Sequence, residues 1–245
     1  MRFFIFFFLL PLVAHSQNLS SEFIVSPSSK KRTLLPISGI RIGADILLPL
    51  TPFLSKPENK RNGYEICSEI LLSNRFFIPI DWGYASIDRS YTGTRSVIQN
   101  NQVIARVPSQ TYQYHNSGTY WRIGLDYNFL HHQTQDEALF VGGRIAFVNF
   151  QHQLKYTYYD AVLGIFSEDM PITVHRAWLG EAVAGTKVRF FHQFFVSTLL
   201  RIKIRLYQPE TSLFSINDIP CFGANNDAIN IWIGWQLMYR IKTKR

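Results

Sequence analysis

The last stretch of the chain, residues 229–241, alternates between two kinds of side chain with a period of two. One face carries only large apolar residues: Ile229, Ile231, Ile233, Trp235, Leu237, Tyr239 and Ile241. The opposite face carries Asn230, Gly234, Gln236, Met238 and Arg240, with Trp232 as its one large aromatic residue. A period of two predicts a β-strand. This one is longer than the roughly 5–6 residues of an ordinary strand, and its wholly apolar face is typical of a strand that crosses a bilayer.

The N-terminus has the pattern of a secretory signal. Arg2 precedes a short apolar core, and Ala14 and Ser16 provide the small residues of a cleavage site. The apolar core has about 11 residues, whereas a spanning helix needs about 20. We therefore expect a cleaved signal peptide at residues 1–16. Residues 17–36 are Ser-rich and polar, which predicts a flexible periplasmic leader.

Eight segments from residue 37 onward share this alternation. They cover 37–49, 62–73, 75–89, 118–129, 139–156, 174–189, 193–207 and 228–241. The links alternate between short ones (73–74, 130–138 and 190–192) and long ones (50–61, 90–117, 157–173 and 208–227). Transmembrane barrels sort their connections in this way. The sequence therefore predicts an all-β fold over residues 37–245: an eight-stranded antiparallel up-and-down transmembrane β-barrel with short periplasmic turns and long extracellular loops.

Nearly every charge within these segments falls on the polar face. We expect a charge network in the lumen formed by Arg41, Asp45, Glu65, Glu69, Asp81, Arg122, Asp126, Arg144, Glu181, Lys187, Arg201, Lys203 and Arg205. An eight-stranded barrel is only wide enough to be filled by side chains, and an unpaired buried ion would cost several kcal/mol. Arg201 is expected to pair with a lumen carboxylate such as Glu69 or Glu181. An open pore is the alternative to this packed lumen.

Periodicity alone does not say which face is outside. A soluble barrel would turn its charges to water and fill its lumen with apolar residues. The long loops, the strand lengths and the C-terminal pattern favour a lipid-facing apolar side, and hence a location in the cell outer membrane.

Composition narrows the class of partner. The net charge is +8, and in a secreted chain this basic excess favours acidic lipid headgroups or an acidic protein over nucleic acid. Loop 90–117 is rich in Tyr, Gln, Ser, Thr and Arg, which suits contact with another outer-membrane protein or a glycan. A disulfide between Cys67 and Cys221 is chemically allowed in an oxidising compartment, and the sequence leaves it open.

Catalytic groupings are poorly supported. His175, Glu181 and Ser197 are the best candidates for a triad, but six residues of extended strand separate His175 from Glu181 by about 20 Å. His131 and His132 are adjacent, and on an extended chain they point to opposite sides, which disfavours a shared metal ion. We expect no catalytic residues, no metal and no cofactor.

Several short stretches resemble a known family. They are residues 39–45 (GIRIGAD), 62–65 (NGYE), 118–128 (GTYWRIGLDYN), 141–144 (VGGR), 219–223 (IPCFG) and the final strand. These stretches resemble a family of small outer-membrane barrel proteins of Bacteroidota that is known only as a domain of unknown function. The resemblance implies an outer-membrane barrel and brings no established activity with it.

The C-terminus also resembles the general ending of outer-membrane barrels. Gly234, Leu237 and Tyr239 match its Gly-x-x-apolar-x-aromatic pattern, which implies recognition by the barrel-assembly machinery. Trp232 and the extension over residues 240–245 depart from that ending.

Taken together, these features predict a non-enzymatic outer-membrane protein, surrounded by lipid, that is a structural or accessory subunit of a larger complex. Two other hypotheses stay open: an outer-membrane lipid-modifying enzyme, and a soluble periplasmic barrel that binds an apolar ligand.

Overall fold

A computed structural model describes residues 37–54, 58–72, 75–99, 102–130, 137–160, 164–170, 172–208, 218–224 and 228–242. The expected signal peptide and leader lie outside the described residues, as do the 73–74 turn, most of the 130–138 link and the pair His131 and His132. None of the helices in these ranges has the length and apolar character needed to cross a membrane.

β-strands make up most of the described chain. They are β1 (Gly39–Asp45), β2 (Asn59–Leu71), β3 (Phe76–Gln99), β4 (Gln102–Asn128), β5 (Glu137–Asp160), β6 (Gly164–Asp169), β7 (Thr173–Phe191), β8 (Phe194–Tyr207), β9 (Asp218–Ile219), β10 (Gly223–Ala224) and β11 (Ile229–Lys242). A 3₁₀ turn (Leu48–Leu50) and a one-turn helix α1 (Thr51–Leu54) follow β1. The predicted all-β class is confirmed.

Nine of these strands form one antiparallel sheet that closes on itself. The order is β4-β3-β2-β1-β11-β8-β7-β5-β6, and a further pairing of β4 with β5 completes the ring. The first and last strands of the ring meet through pairs from Gly39–Lys242 to Asp45–Gln236. Strand β6 pairs with the outer part of β5, from Lys155–Asp169 to Asp160–Gly164.

Two of the segments that were predicted to be long loops are paired strands in the structure. Residues 90–117 continue β3 and β4 as a paired hairpin out to Gln99–Gln102, and β5 and β6 form a second hairpin within residues 157–173. The physical reason is local: Tyr and Thr are strand formers, but in these stretches neither face is apolar, so no alternation marks them.

Strand β1 is shorter than the predicted 37–49 segment. The Asp45 carboxylate accepts hydrogen bonds from the backbone N–H groups of Leu47 (2.8 Å) and Leu48 (3.1 Å). This side-chain cap competes with the sheet ladder and turns the chain into the 3₁₀ turn, whose second residue is Pro49.

Close packing inside the ring requires a glycine at position 83. Gly83 pairs across the sheet with Tyr120, whose ring lies over it. A Cβ at Gly83 would lie 2.3 Å from Cζ of Tyr120, whereas a Cβ at Gly143 would meet no atom within 4 Å.

Gly83→Ala is therefore expected to lower the free energy of unfolding by about 1–3 kcal/mol, because the Tyr120 ring must move. Gly143→Ala is the matched control and should be neutral or slightly stabilising. Urea titration of both variants measures the difference, and equal midpoints would contradict the close contact at Gly83.

Candidate functional site

The interior of the ring is built around the carboxylate of Glu65 on β2. Arg122 of β4 lies 2.6 Å from it and Arg201 of β8 lies 2.7 Å from it, so Glu65 joins opposite walls. The Tyr120 hydroxyl donates a further hydrogen bond at 2.8 Å. Arg122 also contacts Glu181 of β7 through Nε at 3.0 Å. All five side chains are buried.

A second group of ion pairs continues the network toward the other end of the strands. Glu69 binds Arg41 at 2.9 Å and also binds Lys187. Arg144 bridges Asp81 (2.8 Å) and Asp126 (3.0 Å). Asp81 lies 3.7 Å from Arg122, and Lys187 lies 4.0 Å from Asp126. The two groups therefore form one continuous network across seven strands.

The structure brings ten of the thirteen expected network residues into these ion pairs. Asp45 is buried but caps the 3₁₀ turn instead. Lys203 is buried and donates to the backbone carbonyl of Cys221. Arg205 is only half-buried, at the end of β8, and donates to Gln208 at 3.0 Å.

Arg201 binds a carboxylate of the expected network, but not one of the two given as examples. Arg201 binds Glu65 rather than Glu69 or Glu181. Which strands face each other across a closed sheet depends on its stagger, and a pattern along one strand carries no information about that stagger.

Aromatic rings inside the ring of strands were missed by the sequence interpretation, because they share the polar face with the charges. The Arg41 guanidinium lies 4.4 Å from the ring centre of Phe195, and Lys187 Nζ lies 4.1 Å from that of Phe140. Cations over aromatic faces are stabilised by the ring quadrupole. These rings therefore add to the stabilisation that the carboxylates give to the buried cations.

A segment between β8 and β11 folds into the ring and closes it. The strands β9 and β10 form a small hairpin, which we call the plug (residues 218–224). Ile219 and Phe222 of the plug pack into a buried cluster with Tyr120, Ala146, Val148, Phe150, Ala177 and Leu179. The two alanines leave the space that the plug occupies. The left-handed φ of Gly223, +109°, shapes its turn.

Electrostatics hold the plug in place. The buried carboxylate of Asp218 accepts a hydrogen bond from Arg89 at 3.1 Å, and a second Arg89 nitrogen forms an ion pair with it at 2.9 Å. Burial raises the pKa of the Asp218 carboxyl, and Arg89 and Arg61 oppose that shift. Burial likewise raises the pKa of the Cys221 thiol, so the plug carries a neutral sulfur beside Arg122. Cys221 and Cys67 are both free thiols.

A possible cation cluster is already compensated. Glu65, Cys67 and Asp81 bring their ligand atoms within 4.8 Å of one another. Arg122, Arg201 and Arg144 bind the two carboxylates. Their positive charge balances the acidic groups, so the arrangement needs no metal ion.

The outer surface of the ring is the reverse of its interior. On β3 and β4 the outward positions of residues 76–84 and 119–127 carry mainly large apolar side chains, and the pattern repeats on β5, β7, β8 and β11. Two belts of touching aromatic rings border this surface. One contains Tyr64, Trp82, Tyr84, Trp121, Phe147 and Trp178, and the other contains Phe76, Tyr127, Phe129, Phe190, Phe194 and Tyr239.

The residues expected to form the assembly signal lie on both faces of β11. Leu237 and Tyr239 point outward into the apolar surface, and Tyr239 packs edge-on against Phe194. Gly234 is buried and faces Asp45.

Fold and site together define a closed antiparallel sheet with an apolar exterior and a charge-paired, plugged interior. The chain belongs to the family described as "Domain of unknown function (DUF6048)", which it matches over residues 1–245. The predicted membership of an uncharacterised family is thereby confirmed, and its link to an outer membrane stays a prediction. No curated protein matches the chain, and no solved structure does so either.

Glu65→Gln should lower the free energy of unfolding by about 3–5 kcal/mol, because it leaves buried guanidinium groups without their carboxylate. The control is Lys155→Gln, which breaks a half-exposed ion pair with Asp169 and should cost less than about 1 kcal/mol. Urea titration compares the two, and similar losses would show that the interior network adds no more stability than a surface pair.

Proposed function

We propose that this protein is an eight-stranded transmembrane β-barrel of the outer membrane that does not conduct, and that it acts as an accessory subunit of a larger complex. The observation that carries the membrane assignment is the distribution of side chains over the closed sheet. Arg201 is 1% exposed while its neighbour Ile202 is 38% exposed, and this inversion recurs along the strands. Water outside would favour the opposite arrangement, whereas lipid outside favours this one.

The dimensions of the apolar surface support the same assignment. Residues 76–84 of β3 cover nine positions, and a transmembrane strand needs about 9–11 residues at a tilt of about 45°. Beyond this band the outward side of β5 becomes polar, with Asn149, Gln151, Gln153 and Lys155. The two aromatic belts lie where lipid headgroups would meet the protein.

The filled interior supports a non-conducting role. The described part of the chain has six buried cationic side chains and seven buried carboxylates. One of these carboxylates, Asp218, binds a further cation, the half-buried Arg89. Most of these ions pair with one another, while Asp45 and Lys203 hydrogen-bond to the backbone. The plug packs above them. A pore would require breaking this network, which is costly in a low-dielectric interior.

The long hairpin of β3 and β4 supports the accessory role. Past the aromatic belt near Tyr84 it continues for fifteen residues to Gln99. One face of the hairpin continues the inner face of the ring, and on it Tyr91 is exposed and paired with Tyr112. Tyr158 of the neighbouring strand β5 is exposed on the same face. Projecting tyrosines give large contact area at low entropic cost, as partner-binding surfaces do.

The membrane assignment predicts a large effect of charge at an outward position. Ile202→Arg should lower the stability of the folded protein in bilayers by about 2–4 kcal/mol near the midplane. Gln151→Arg is the matched control, because it adds the same charge to an outward position beyond the apolar band. Heat-modifiable migration on gels after liposome reconstitution measures the folded fraction. Unchanged folding of Ile202→Arg would mean that this face contacts water, and the membrane assignment would be abandoned.

The accessory role predicts a partner that depends on the hairpin. Replacing residues 93–110 by Asn-Gly would join the paired residues Thr92 and Thr111 in a two-residue turn and leave the ring intact. Purification from membranes in mild detergent should recover a stoichiometric partner with the full chain and lose it with the shortened one. Recovery of the full chain alone would contradict a role within a complex.

A further inference from the structure

The wall of the ring has a gap above β1. Pairing of β1 with β11 ends at Asp45–Gln236, followed by one bond from Ile46 N–H to Trp235 O. Strand β11 continues to Ile229, and β2 continues to Asn59, beyond its last pair with β1 at Ile66. In the described sheet, no strand pairs with the facing edges of residues 229–234 and 59–65.

The 3₁₀ turn and α1, residues 48–54, lie over this gap and are called the cover here. Thr51 Oγ1 lies 3.1 Å from the carbonyl oxygen of Arg61, which anchors the cover to β2. A cavity of about 280 Å³ lies between the cover, the plug and β11, and it reaches inward to Glu65. Leu48 and Thr51 border it on one side, and Ile231 and Trp232 border it on the other.

The cavity is basic. Arg61, Arg122, Arg201 and Lys203 contribute to its lining, and Glu65 is the one carboxylate among the described lining residues. Arg122 and Arg201 bind Glu65, and Lys203 binds the plug carbonyl. Arg61 differs from them, because its side chain is 35% exposed and its ion pair with Asp218 is long, at 4.0 Å. Asp218 also binds Arg89 at 2.9 Å, so the Arg61 guanidinium can bind an added anion without leaving Asp218 uncompensated.

The lining of the cavity reaches the apolar outer surface at β11. Ile229, Ile231 and Ile233 of β11 are exposed on that surface, and Ile231, at 67% exposure, also borders the cavity. The N–H and C=O groups of alternate strand residues point to the same edge. Since Trp235 O binds Ile46 across this edge, the backbone groups of Ile233 and Ile231 also face the gap. A polar group placed there would meet backbone donors as well as Arg61.

We propose that the gap between β11 and the cover is a lateral portal for an anionic lipid of the surrounding leaflet. The lipid phosphate binds Arg61 in the cavity, while the acyl chains remain outside against the isoleucines of β11. The size of the cavity agrees with binding of the headgroup alone. Pockets that hold a whole small molecule start at about 300 Å³, so this cavity is too small for the acyl chains as well. The inference rests on the proposed transmembrane placement and adds a specific binding site to it.

The test is native mass spectrometry of the full-length mature protein in neutral-detergent micelles with phosphatidic acid or phosphatidylcholine. The wild type should retain one phosphatidic acid and no phosphatidylcholine. Arg61→Gln should weaken retention about tenfold or more, the scale of a lost hydrogen bond to a charged group. Lys60→Gln is the control, because it removes the same charge from the neighbouring, exposed residue of β2. Equal retention of the two lipids, or no loss in Arg61→Gln, would overturn the proposal.

A second pair of variants tests the portal without changing charge. Leu48→Trp fills the cavity and should reduce retention of phosphatidic acid, whereas Leu50→Trp, at an exposed position of the same turn, should not. Equal retention by these two variants would overturn lateral access. Soluble glycerol phosphate is added as a competitor: failure to displace the lipid supports the portal, and full displacement at equal concentration would overturn it in favour of a free-phosphate site.

Flotation with liposomes separates this inference from the proposed function. A wild-type protein that floats and migrates as a folded protein but binds no phosphatidic acid counts against the portal alone. A wild-type protein that does not float would remove the transmembrane placement, and the portal with it.

Discussion

Charge compensation among buried side chains is the constraint on which the structure depends. Glu65 can be buried because Arg122 and Arg201 reach it from two other walls, and those guanidinium groups can be buried because carboxylates receive them. A buried ion costs several kcal/mol unless it is paired and hydrogen-bonded. The network therefore stabilises the arrangement of strands that the stagger of the closed sheet brings face to face.

Much of the fold could be predicted from alternation alone, because a sheet with one apolar face shows its period in the sequence. The alternation of β11 and the polar face of β8 are of this kind. The outer ends of the hairpins were not predicted as strands. Their two faces are both polar, so residues such as Tyr91 and Thr92 show no alternation and were assigned to a loop. The plug was not predicted either, because the residues that stabilise it, Arg89 and Tyr120, lie far from it in the sequence.

The interior site was predictable as a set of residues but not as a set of contacts. That the charges share one face follows from the strand pattern, whereas the pairing of Arg201 with Glu65 follows from the stagger of the closed sheet. Asp45 shows a further limit, since its short side chain reaches the backbone of the next turn before it reaches a cation. That local competition ends β1 early and leaves the wall incomplete above it.

The pairing of β1 with β11 joins the two ends of the described chain. The ring consequently cannot close until β11 has been synthesised. Until then two strand edges stay unpaired, and such edges associate readily with other chains. Contacts this distant in sequence also form slowly, because loop closure must precede them. The protein is thus one whose biogenesis depends on being kept apart from its neighbours for the whole of its synthesis.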